Sequence, residues 1–131
     1  MGWLQHSKGM PDCPDYLDDI AKAEWADACQ QLADMRLLSK ADKTALEMYC
    51  TTYSRWRIAQ REVQEHGAIM LVGENDYPQK TPFATECDQM QKLIKAWLQE
   101  FAMTPASRAK LRTEVKKEET KTGTAAFFNA A

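Results

Sequence analysis

The sequence predicts a mainly α-helical protein: a helical subunit with a long central helix pair, a small β-hairpin between its second and third helices, and a disordered C-terminal tail. Three observations carry that reading. Apolar residues recur at three- and four-residue steps in three long segments, which is the period of one helix face. Alanine supplies 18 of the 131 residues and leucine only 10, a mix that favours closely approaching helices over a core of bulky aliphatic side chains. The pairs Thr81-Pro82 and Thr104-Pro105 each place a capping hydroxyl before a proline, the start signal of a helix.

In chain order, residues 1–13 read as a flexible arm without sustained period, on which Trp3 and Leu4 could dock on a partner. The first helix is expected from about Pro14 to Met35. Its stripe is Leu17, Ile20, Ala21, Trp25, Ala28, Leu32 and Met35, and Asp15, Asp18 and Asp19 stand near its positive end. Ser39-Lys40-Ala41-Asp42 resembles a capping box that opens a second helix, striped by Leu46, Tyr49, Cys50, Tyr53, Trp56 and Val63 and stopped at Gly67. From Lys40 to His66 that helix is about 40 Å long at ~1.5 Å per residue. A chain of 131 residues cannot surround such a rod alone, so part of it is expected to meet another subunit. Residues 68–81 hold the apolar run Ile69-Met70-Leu71-Val72, the turn cluster Gly73-Glu74-Asn75-Asp76, and Tyr77-Pro78-Gln79-Lys80. They fit a hairpin with Pro78 on an edge strand, and an irregular loop between helices fits as well. Phe83, Cys87, Met90, Ile94, Trp97, Leu98 and Phe101 mark the third helix; a short fourth follows Thr104-Pro105 with Leu111 and Val115. Residues 14–115 thus form one helical domain, and the polar residues 116–131 are expected to be disordered.

The chemistry available is narrow. Seventeen Lys and Arg against 19 Asp and Glu exclude a strongly basic binder. No apolar run approaches the roughly 18 residues of a membrane span, and no signal segment opens the chain, so a soluble, cytoplasmic protein without membrane partners is expected. Cys13, Cys29, Cys50 and Cys87 lack the short spacings of a zinc site, and His6 and His66 lie far apart. No metal, cofactor or catalytic residue is therefore assigned; the cysteines read as reduced thiols, with Cys29, Cys50 and Cys87 on or beside apolar faces. Phosphate-loop, dinucleotide, nucleophile-elbow and zinc-protease motifs are all missing. Asp15 and Asp19, four apart on a predicted helix, could hold a magnesium ion, but they read better as solvated acids complementing the helix dipole.

Charge is uneven along the chain. Residues 1–35 carry 7 acids and 2 bases, whereas residues 104–131 carry 6 bases and 3 acids. Arg108, Lys110 and Arg112 are the first candidates for phosphate contact, with Arg108 and Arg112 on one face and the helix N-terminus adding free N–H groups. Lys43, Arg57 and Arg61 on one flank of the second helix follow. In both places ion pairing with neighbouring helices is the competing reading. Three phosphate contacts imply a log–log salt slope of about −2.7, so one copy grips DNA weakly. Useful affinity then requires several copies, whose avidity multiplies binding by about 10² to 10⁴.

These landmarks together resemble the small subunit of bacteriophage terminases. The resemblance covers roughly residues 14–112 and rests on Trp25 in A-x-W, Leu37-Leu38-Ser39-Lys40-Ala41-Asp42 opening the long helix, Tyr49-Cys50, Tyr53, Trp56, Gly67, Lys80-Thr81-Pro82 and F-A-M-T-P-A-S-R at 101–108. Thr104-Pro105-Ala106-Ser107-Arg108 is its most specific element. Ala102-Met103 stands where the family commonly has Gly-Leu. The resemblance implies a non-catalytic homo-oligomeric ring that recognises double-stranded viral DNA, recruits and regulates the large terminase (an ATPase and nuclease) to initiate genome packaging, and works in the cytoplasm of the infected bacterium. Phe127 and Phe128 then look like a docking hook for the large subunit; an unstructured end with incidental apolar residues fits equally. A helical adaptor in phage assembly that binds only protein, or a dimeric DNA-binding regulator, are the alternatives. The last lacks an evident helix-turn-helix.

Overall fold

The computed structural model describes the backbone of residues 10–129 and the side chains of residues 10–121. The Trp3 and Leu4 arm contacts, and the Phe127 and Phe128 side chains, lie outside the described residues. Among the described residues four helices and one hairpin follow in chain order: α1 (Asp19–Asp34), a 3₁₀ turn (Lys40–Asp42), α2 (Lys43–His66), β1 (Ile69–Val72), β2 (Tyr77–Lys80), α3 (Pro82–Glu100) and α4 (Pro105–Asn129). The mainly helical class and the hairpin are thus as the sequence predicts. The chain divides into two compact units, residues 1–94 and 95–131.

In the first unit α1 and α2 run antiparallel, and their shared face is the core. Leu17, Ala21, Trp25, Ala28, Cys29 and Leu32 meet Leu46, Tyr49 and Cys50 there, with Leu46 and Cys50 0% exposed. The small alanines let the helices approach closely enough to bury Trp25 and Tyr49 between them.

Helix α1 starts at Asp19, not at Pro14 as the sequence suggested. Asp18 is extended, and its Oδ1 accepts from the Ala21 N–H at 2.8 Å. An aspartate in that role outcompetes a proline four residues upstream, because it satisfies an otherwise unpaired N–H. Asp15 consequently lies in the preceding turn, so the Asp15–Asp19 helix face on which a magnesium reading depended does not form.

The other Asp18 oxygen accepts from the Ser54 hydroxyl at 2.5 Å, tying the start of α1 to the middle of α2. Ser54 and then the Ala21 N–H hold the Asp18 carboxyl below its ordinary value. Because the folded pKa is the lower one, this stabilisation is present above the unfolded carboxylate pKa and is lost as pH falls through the folded value. Asp18→Ala is expected to cost about 1 kcal/mol in urea denaturation at neutral pH, and the gap from wild type should close on acidification.

Both α1 and α3 end in the same device without glycine. Arg36 (φ 59°) and Ala102 (φ 54°) occupy the left-handed position. Around them the Leu37 N–H donates to the Leu32 carbonyl at 2.8 Å and the Met103 N–H to the Leu98 carbonyl at 2.7 Å. These are Schellman closures, so α3 stops at Ala102 without the glycine that such a closure usually uses. A side chain in that conformation costs about 1 kcal/mol. Arg36→Gly, at an exposed position, is therefore expected to raise stability by up to about 1 kcal/mol, read as a higher thermal midpoint.

Ser39 accepts from the Ala41 N–H at 3.2 Å and opens the 3₁₀ turn that leads into α2, so the predicted start holds with one turn wound more tightly. At the far end Gly67 adopts φ 86°, ψ 165°, a region open essentially to glycine, and its N–H closes on the Val63 carbonyl at 2.8 Å. Thr81 then seals the hairpin base. Its N–H donates to the Ala68 carbonyl at 2.9 Å, its hydroxyl donates to the Gly67 carbonyl at 3.2 Å, and its Oγ1 accepts from the Ala84 N–H at 3.3 Å to cap α3. Beyond α1, the later turns of α2 meet the start of α3: Arg55 Nε donates to Glu86 Oε1 at 2.9 Å, and the Cys87 thiol donates to Gln60 Oε1 at 3.7 Å. Ala84, Cys87, Met90 and Ile94 are buried, whereas Phe83, placed on the same stripe by periodicity, is 42% exposed.

In the second unit Trp97 stacks on Phe101 at 6.0 Å, and Phe101 and Ala102 are buried. Helix α4 continues to Asn129, past the Val115 at which the sequence placed its end. Beyond Leu111 its described side chains are all exposed. Helicity there rests on local propensity alone, and such a helix is marginal in water, the same physics that its polar composition expresses.

Candidate functional site

The start of α4 is built by a reciprocal cap. Thr104 Oγ1 accepts from the Ser107 N–H at 3.1 Å while Ser107 Oγ accepts from the Thr104 N–H at 3.1 Å, and the two hydroxyls bond at 2.6 Å. This is a capping box with serine in place of the usual acid. It also thins the donors expected at this N-terminus: Pro105 has no N–H, and those of Thr104 and Ser107 are taken by the reciprocal cap, which leaves the first turn that of Ala106. Phosphate contact at α4 then falls mainly to side chains.

Those side chains are available. Arg108, Lys110 and Arg112 are exposed, and none is held in an ion pair among the described residues. At 100° per residue Arg108 and Arg112 share a face, and Lys116 extends it one turn further. Lys110 sits on the opposite flank, in line with Lys117 and Lys121. Sequence reasoning missed Lys116, Lys117 and Lys121 because it ended the helix at Val115; the four-residue steps from Arg112 to Lys116 and from Lys117 to Lys121, and the seven-residue step from Lys110 to Lys117, were the signal available.

The second group does not gather into one patch. Lys43 opens α2 and lies about 21 Å along the axis from Arg57 at ~1.5 Å per residue. Arg57 is exposed but engaged: Nη1 donates to the Tyr53 hydroxyl at 3.1 Å, and the guanidinium lies 5.9 Å from the Tyr53 ring centre. Its charge also acts on Glu24, whose half-buried carboxyl accepts from the Tyr49 hydroxyl at 2.7 Å. Burial pushes the Glu24 carboxyl up despite Tyr49 and Arg57, and burial with the Glu24 contact pushes the Tyr49 phenol up. Arg57 is therefore held against Tyr53, and its charge is a minor influence on the Glu24 acid beside burial and Tyr49. Arg61, one turn on, is exposed.

Two further clusters carry potential chemistry. Glu62, Glu65 and His66, on the last turn of α2, bring three ligand atoms within 4.8 Å of one another, with His66 Nε2 3.4 Å from Glu62. They offer a hard-and-borderline donor set at the solvent surface, and also a histidine beside the negative end of a helix. The sequence reading sought metal ligands among the cysteines, the histidines and the Asp15–Asp19 pair, and so passed over them. The thiols are chemically quiet. Cys29, Cys50 and Cys87 are buried and free, and burial pushes Cys29 up to about 11 and Cys50 higher still. Among the described residues no helix is long and apolar enough to cross a membrane.

A family model described as phage terminase, small subunit, matches residues 21–118, about three quarters of the chain. No curated protein matches, and no solved structure matches.

Proposed function

This chain belongs to the phage terminase small subunit family, and on that premise we propose that it is a non-catalytic, ring-forming protein. In this reading it recognises viral double-stranded DNA in the host cytoplasm, and recruits and regulates the large terminase to begin genome packaging. The observation that carries the DNA part is the charge of α4: six exposed bases between Arg108 and Lys121 against three acids, with none of the bases held in an ion pair among the described residues. Elsewhere Arg55 and Lys80 are spent on Glu86 and Asp88. Arg108, Lys110 and Arg112 are the leading phosphate contacts, extended by Lys116, Lys117 and Lys121. Lys43, Arg57 and Arg61 are secondary, Arg57 least of all because it already serves Tyr53 and Glu24. Phe127 and Phe128 remain the proposed hook for the large subunit.

The test is a mobility shift of the full chain on duplex DNA between 50 and 200 mM salt. Retardation should weaken over that range by about forty-fold for one engaged chain making three phosphate contacts, and more steeply where several chains hold one duplex. No retardation at any salt would instead favour an adaptor that binds only protein.

A further inference from the structure

Every residue of the hairpin is exposed, although its sequence is among the most apolar in the chain. Ile69 is 59% exposed, Leu71 64%, Val72 40% and Tyr77 70%. The register pairs Ile69 with Lys80, Met70 with Gln79, Leu71 with Pro78 and Val72 with Tyr77. Alternation therefore places Ile69, Leu71 and Pro78 on one face, with Lys80 at its base held by Asp88, and Met70, Val72 and Tyr77 on the other, with Gln79 at its base. Strands apolar on both faces are the pattern of strands covered on both faces, and a two-stranded hairpin left in water is marginal. Together these side chains offer on the order of 500 Å² of surface, shared between the two faces. Each face thus supplies roughly a third of the about 800 Å² that one partner contributes to a standard interface.

We propose that this hairpin is the joint between copies of the chain, held between two neighbours with its Ile69, Leu71 and Pro78 face toward one and its Met70, Val72 and Tyr77 face toward the other. The inference rests on the ring-forming reading above and names the surface through which the ring closes. The occupant is a second copy because the two faces are unlike and lie back to back. A single foreign partner would cover one and leave the other in water, whereas every member of a ring has a neighbour on each side. Contact between unlike surfaces is heterologous: it does not stop at a dimer, and it closes into a ring where the rotation between copies closes. Joining through the faces also suits the edges. With the Thr81 N–H bonded to the Ala68 carbonyl, the ladder alternates so that Pro78 stands toward the outer edge of β2, where it offers no N–H to another strand.

The test uses the full chain and two single variants, Leu71→Lys on one face and Val72→Lys on the other, followed by native mass spectrometry at micromolar concentration. Far-UV circular dichroism should be unchanged in both, since neither side chain belongs to the helical core. Wild type should run as a closed oligomer and each variant as a protomer. An equal mixture of the two variants should form a dimer of one of each, because the intact face of one meets the intact face of the other and neither can grow further. Wild-type rings that persist in both variants would overturn the hairpin's role and leave the ring reading standing. Collapse of both variants without dimers on mixing would overturn it too, marking the hairpin as a support rather than a joint. A wild-type protomer or simple dimer would remove the ring reading and this proposal with it.

Discussion

Reversing Arg108 and Arg112 together to Glu is expected to lower affinity for duplex DNA at moderate salt by about a hundred-fold and to make the log–log salt slope shallower by about 1.8 per engaged chain. The size follows from what the two residues do in the structure. They are exposed on one face of α4 and hold no acid, so their replacement breaks nothing that folds the chain. Each lost phosphate contact removes about 0.9 from the slope, and the new carboxylates add repulsion. Several copies acting on one duplex compound the loss. Arg57→Glu supplies the contrast: it should weaken DNA binding little but disturb the α1–α2 interface, because Arg57 lies on Tyr53 and offsets Glu24. Unchanged binding in the Arg108 and Arg112 double variant, with helical content intact, would clear those residues of the role.

What the sequence made legible was mostly local. Thr81, Thr104 and Ser39 announce helix starts because a hydroxyl before a helix bonds its own neighbours, and each does so in the structure. Gly67 was legible as a stop because only glycine tolerates its backbone angles. Pro14 misled because a proline permits a helix start without requiring one, whereas Asp18 gains two bonds by capping, one of them from Ser54 36 residues away. Phe83 misled because periodicity reports a face but not whether anything covers it. The same gap hid the most informative feature: Ile69 to Val72 read as apolar strand, but their exposure on both faces is a property of the fold. The six candidate bases were legible as residues; their sorting into free and engaged was not, since four-residue spacing puts Tyr53 near Arg57 without saying that the guanidinium lies on its ring, and Glu24 comes near only when α1 and α2 meet.

If copies must join before they hold DNA, a chain that cannot join should lose binding without losing a single base. Leu71→Lys and Val72→Lys leave Arg108, Lys110 and Arg112 untouched and each add a positive charge, which alone would strengthen DNA contact. Their separation from wild type is therefore a clean measure of assembly. Multivalent attachment is worth about 10² to 10⁴ in affinity, far more than one added lysine contributes. The most direct measurement is the affinity of wild type and of the Val72→Lys chain for the same long duplex, by fluorescence anisotropy at fixed moderate salt, with the mass of each species determined in the same buffer. The expected result is a protomeric variant binding about 10² to 10⁴ times more weakly than an oligomeric wild type. A protomeric variant that binds as tightly as the wild-type oligomer would contradict it.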